Sequence, residues 1–254
     1  MSEKQEIKRL PPGHQALGQT KENTMSTKII VSYDGTANED DALALGRVFA
    51  RAGADVALAY VRHSQDPDLD REKLAQNEAE ELLARGAQLF GNADIARHVV
   101  TDRSTPRGLS ALAESEGASI VVFCSDSHTA HGHVSVGNSA QQLLEGGPVG
   151  VAIAPVGLAD NPEVPVSSIV AIGDAEGGAR ATAESLAGSL GASVAPVANE
   201  SADLLVLDSR PEAEQGRVAI SASAAHLVEI ATCSALVLPR GVAVQFGQRT
   251  AVSA

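Results

Sequence analysis

A chain of 254 residues, 44% hydrophobic and with a mean hydropathy of +0.00, is long enough for one large or two smaller domains with real cores. Its formal charge of −13 at pH 7 opposes binding to nucleic acid or acidic membranes, which clustered Lys and Arg would serve. Aromatics make up 2% and tryptophan is absent, so platforms for stacking bases are scarce and the core must come from Val, Leu, Ile and Ala. No apolar run approaches the roughly 20 residues that a membrane helix needs. The N-terminus lacks the apolar core of a signal peptide, so a cytoplasmic protein is expected. Cys124 and Cys233 lie in different parts of the chain, and each reads as a free, packed thiol.

Residues 1–27 are polar and aperiodic around Pro11-Pro12-Gly13 and read as a flexible N-terminal tail. The run 28–33 (KIIVSY) is a β-rich strand ending at Asp34-Gly35-Thr36. A helix follows over 38–51, capped by Asn38, with Ala42, Leu45 and Phe49 on its apolar face. Residues 55–61 form a second strand, 74–90 a helix, and 95–100 a third strand. Thr105-Pro106 opens another helix. Strands at 120–123 and 149–154 flank a polar loop and a short helix that starts at Gly137-Asn138-Ser139. Five alternations in about 130 residues predict a three-layer α/β fold with a mostly parallel, five-stranded sheet.

The pattern then restarts after a linker at 157–165. Strands are expected at 168–172, 192–197, 202–207 and 235–238, with helices at 179–190 and 222–231. The segment GNSAQQLLEGGPVGVAIAP (137–155) aligns without gaps on SASAAHLVEIATCSALVLP (221–239). Ala140, Leu143 and Leu144 match Ala224, Leu227 and Val228, the inward face of the same helix. This is an internal duplication. It divides the chain into the tail, a first domain at 28–158, a shortened second domain at 166–241 and a C-terminal tail at 242–254.

Asp34 falls at the carboxyl edge of a parallel sheet, where α/β ligands bind. Gly137, Asn138 and Ser139 would offer amides at a helix start to a phosphate, although a plain turn with a cap reads equally well. Neither a G-x-G-x-x-G fingerprint nor a P-loop is present. His128, His131 and His133 form a loop cluster that is a weak metal alternative, with a polar lid preferred. Ser127, Ser135 and Ser139 lack a nucleophile elbow, and Cys124 ends an apolar strand, so no catalytic residue is assigned.

These residues resemble the universal stress protein family in tandem form, across about 28–156 and 167–240. KIIVSYDGTANEDDALALG is similar to the family's first strand, turn and helix, and GASIVVFCSDS through GNSAQQLLEGGPVGVAIAP is similar to its closing half. The resemblance implies an adenine-nucleotide alpha hydrolase-like fold. Members that bind ATP carry G-x-x-G, nine residues, then G-[ST]. Here Cys124 and Ser127 stand at the first two glycines, Gly137 at the third, and Asn138 in place of Ser or Thr. A nucleotide site by this likeness would use Tyr33, Asp34, Thr36, Val61, Cys124, Ser127, Gly137, Asn138 and Ser139. The second unit, with Ser221 and Ala222 at the closing pair, is expected to bind none. Pairing of the last strands inside one chain would make a pseudo-dimer, and a homodimer of such chains stays open. The resemblance implies a non-enzymatic stress-response protein with weak ATP or other adenine-nucleotide binding in the first domain. The alternatives are a nucleotide-free regulatory or scaffold protein and a slow ATP hydrolase.

Overall fold

The computed structural model describes residues 26–63, 67–161, 165–174, 177–196 and 202–247. The expected N-terminal tail up to residue 25, the Asn199-Glu200-Ser201 junction and residues 248–254 lie outside them.

Period-2 alternation builds the first strand, β1 (Lys28–Ser32). Ile29 and Val31 enter one apolar layer and Ile30 the other. Then come α1 (Glu39–Arg51), β2 (Asp55–Arg62), α2 (Leu69–Phe90), β3 (Ala96–Thr101), α3 (Thr105–Glu116), β4 (Ala118–Cys124), α4 (Asn138–Leu144) and β5 (Gly150–Ala154). A 3-10 turn at Leu158–Asp160 leads to β6 (Ser168–Ile172), α5 (Ala179–Leu190), β7 (Ser193–Ala195), β8 (Leu204–Asp208), α6 (Ala222–Glu229) and β9 (Ser234–Leu238).

Three local details differ from expectation. Asn38 has φ 70° and caps nothing with its side chain, so α1 begins at Glu39. The helix α2 starts five residues early because Asp68 accepts the amides of Asp70 and Arg71, at 2.9 and 3.3 Å, and so caps its first turn. Inside the expected linker, Asp41 accepts the amides of Gly157 (2.9 Å) and Ala159 (2.7 Å), which holds the 3-10 turn against α1.

All nine strands join one largely parallel sheet in the order β3-β2-β1-β4-β5-β9-β8-β6-β7. Its single antiparallel junction among the described residues is β5 against β9. One face packs on residues of α1, α2 and α5 (Leu43, Phe49, Leu83, Leu186), the other on α3, α4 and α6 (Leu109, Leu143, Leu144, Val228). That is a helix–sheet–helix arrangement.

Contacts at the junction come in matched pairs 84 positions apart. Ala152 faces Leu236, flanked by Val151 opposite Val237 and Ile153 opposite Ala235. The Val134 amide donates to Ala231 (3.2 Å), and the Val218 amide donates to Gly147 (2.8 Å). Ser125 donates from Oγ to the Ala154 carbonyl (2.6 Å) and accepts the Ser135 amide (3.1 Å). Ser209 does the same with Leu238 (2.7 Å) and Ala219 (3.0 Å).

Candidate functional site

The strands β1 and β4 are parallel neighbours, so the loops that follow them meet at one carboxyl edge. The Tyr33 amide donates to Ala59 (2.8 Å), and the buried ring packs on α2 at Gly86, where a Cβ would come within 2.8 Å of Tyr33 Cε1. Asp34 then accepts the Thr36 amide at 3.0 Å, a side-chain-closed turn. Gly35 has φ +75°, a conformation that favours glycine, and lies under the Leu82 side chain of α2.

Glu39, the first residue of α1, reaches back into this turn and is 6% exposed. Its Oε2 accepts the Asp34 amide and, at 3.4 Å, the Gly35 amide. Its Oε1 accepts the Cys124 thiol at 3.9 Å. Burial, with the Asp34 charge beside it, pushes the Glu39 carboxyl up to about 8. Burial, with Glu39 and Asp34 nearby, pushes the Cys124 thiol up to about 12, which favours the protonated thiol. Burial likewise raises Tyr33 and Asp41 above their ordinary values. The Asn38 amide group donates to the carbonyls of Ser125 (3.5 Å) and Asp126 (3.1 Å), tying the turn to the loop after β4.

The structure therefore gathers Asp34, Thr36 and Cys124 around Glu39, with the exposed Ser127 two residues beyond Ser125. At the far end of the loop, Gly137 precedes α4 with φ −69° and ψ 161°, a conformation open to any residue. No atom stands within 4 Å of the position of a Cβ on it. Asn138 is exposed, Ser139 half-buried, and neither caps the helix by its side chain. Val61 is set apart. It is buried in the layer under α3, 3.1 Å from where a Cβ on Gly108 would sit.

The three loop histidines are exposed, and His131 turns outward to Asp160 at 3.0 Å. Among the described residues no three His, Cys, Asp or Glu side chains are grouped as a metal ion would need. At the matching edge of the second half, Asp208 takes the place of Cys124. Its Oδ1 accepts the Ala179 amide at 2.8 Å, while its buried Oδ2 has no hydrogen-bond partner among the described residues and fills the space that side chains at Gly173 and Gly177 would need.

Glu39 was not legible as a site residue. It stands in a run, Asn38-Glu39-Asp40-Asp41, that composition places in solvent or at a helix dipole. The usable signal was its spacing, the first helical residue five positions after a strand-end aspartate.

Architecture and edge define a doubly wound α/β protein with its candidate crevice at the strand carboxyl ends. No described helix is long and apolar enough to cross a membrane. The model of the Universal stress protein family matches residues 25–155. The chain belongs to that family. Its fold is similar to a universal stress protein from Archaeoglobus fulgidus, with TM-score 0.64, 15% identity, and 85% of this chain and 100% of that one covered. Two Pseudomonas aeruginosa structures are also similar over 85% of this chain and 94% of theirs. One is assigned to the universal stress proteins (TM-score 0.55, 14% identity) and the other is of unknown function (0.54, 14%). No curated protein matches the chain.

Proposed function

We propose that this is a non-enzymatic stress-response regulator that acts through protein contacts and holds no nucleotide in its first-half crevice. One observation carries the reading: Glu39 already uses the Asp34 and Gly35 amides and the Cys124 thiol, the donors a ligand entering at β1 would meet. The Asp34 charge beside it, strong enough to help keep Glu39 protonated, also disfavours an arriving triphosphate. Cys124 and Ser127 also place side chains where, by the family resemblance, ATP binders bring bare backbone to the phosphates.

The two halves are read as a duplicated unit, 28–158 and 166–241, joined as a pseudo-dimer. The matched contacts at the β5·β9 junction support this, since a two-fold interface pairs residue i with j and j with i. The second unit is read as shortened, because β7, β6, β8 and β9 repeat the order of β2, β1, β4 and β5 with no partner for α2, β3 and α3 among the described residues. Pairing inside the chain occupies the edge that a homodimer through β5 would use.

Weak ATP binding is the second reading, favoured by the open space beside Gly137. Calorimetric titration of the full chain with ATP, AMP and cyclic AMP separates the two. The expected result is no saturable heat at millimolar nucleotide and no ADP on prolonged incubation. Saturable binding that Gly137→Val abolishes would establish the second reading.

A further inference from the structure

The segment expected as the start of a C-terminal tail is packed, and it touches both halves. Residues 242–247 run on from β9 past Gly241, with Val244 and Phe246 buried and Ala243 and Gln245 exposed, the alternation of an extended segment laid on a surface. Two hydroxyls three residues apart on α5 hold it. Val244 donates its amide to Thr182 Oγ1 (2.8 Å), and Phe246 donates its amide to Ser185 Oγ (2.7 Å), which donates back to the Phe246 carbonyl (3.1 Å). Thr182 is fully buried, so this bond is shielded from water. Gly178, just before α5, leaves room for the Val242 carbonyl.

The same six residues also grip the first half. The Phe246 ring stacks on Phe49 of α1, with centroids 5.8 Å apart and planes 19° from parallel. Thr27, just before β1, donates from its hydroxyl to the Gln245 carbonyl. Gly53, which follows α1 at φ +92°, leaves the space that the Gly247 carbonyl oxygen fills.

We propose that 242–247 is a clasp that locks α1 of the first half to α5 of the second. The β5·β9 ladder couples the halves through the sheet, and the clasp couples them through one helix layer, so both must fail before the halves move independently. It follows that a disturbance confined to α5 reaches α1. This inference stands on the packing alone and is indifferent to whether nucleotide binds.

The test is amide hydrogen exchange on the full chain carrying Thr182→Val and Ser185→Ala, small changes that remove the two hydroxyls holding the clasp. Exchange in α1, around Val48 to Ala52, should rise about tenfold or more alongside α5, the scale expected when hydrogen bonds of ordinary net value are lost. The Val151 and Val237 amides at the junction should stay protected. A rise confined to α5 and 242–247, with α1 unchanged, would overturn the proposal. Phe246→Ala attacks from the other side and should free the Thr182 region as well as α1. If it loosens α1 alone, the clasp does not transmit.

Discussion

Glu39 is the residue on which the crevice turns. Burial and the Asp34 charge beside it outweigh the amide donors, which favour the ionised carboxylate, so the neutral form is favoured and its value rises from 4.5 to about 8. Across that window the folded chain keeps a proton that the unfolded chain has released. Its contribution to stability is therefore full below about pH 4.5 and is lost as pH rises through about 8. Asp41 and Asp208 are raised by burial and act in the same direction. Asp102 is held below its ordinary value by Arg107 and acts oppositely, losing its contribution only as pH falls below the carboxylate range. Thermal unfolding should show a melting temperature that declines between pH 5 and 8. Glu39→Gln, a neutral near-isostere, should flatten that decline while leaving the melting temperature at pH 5 nearly unchanged. A variant whose profile parallels the parent would put the titration elsewhere.

At the scale of elements, alternation and helical spacing made each described α-helix and strand visible, to within about two residues at each end except the start of α2, and missed the 3-10 turn. The β6 and α5 bounds were read as the structure has them, at Ser168–Ile172 and Ala179–Leu190. The misses came where side chains override local pattern, as when Asp68 extends α2 toward its N-terminus and Asp41 orders the linker. Ser125 and Ser209 were invisible for a related reason. Each looks like a loop serine, yet each is buried and staples the turn after its strand to the end of the next one. Removing either hydroxyl takes a partner from a buried carbonyl and a half-buried amide, so Ser125→Ala and Ser209→Ala should each cost about 1–3 kcal/mol in denaturant unfolding. Similar losses at both positions are expected because the two staples share one geometry. Of the candidate site, Asp34, Thr36 and Cys124 lie together at one edge of the sheet. Val61 is buried in the layer under α3, and Glu39, which accepts the amides of the turn after β1, had no motif to announce it.

At the scale of the molecule, the gapless match of 137–155 with 221–239 suggests a repeat, and the family resemblance adds the expectation that the last strands pair inside the chain; β5 and β9 do pair, within one nine-stranded sheet. Strand order across a two-fold junction depends on which edges meet, and no single strand encodes that. The contact of Ala152 with Leu236 lies at the centre of the junction, and both residues are fully buried. Leu236→Ala should therefore cost about 2–5 kcal/mol, read as one cooperative loss in both halves. A loss confined to the second half would mean that the junction does not couple them.

The central claim is that the chain's own side chains, with Glu39 foremost, occupy the crevice at the end of β1. The most direct measurement is the amide resonance positions of Asp34, Gly35 and Asn138 in the full-length protein during titration with magnesium–ATP to millimolar concentration. The account predicts that the three signals stay in place. Saturable shifts of all three together would show nucleotide in the crevice and contradict it.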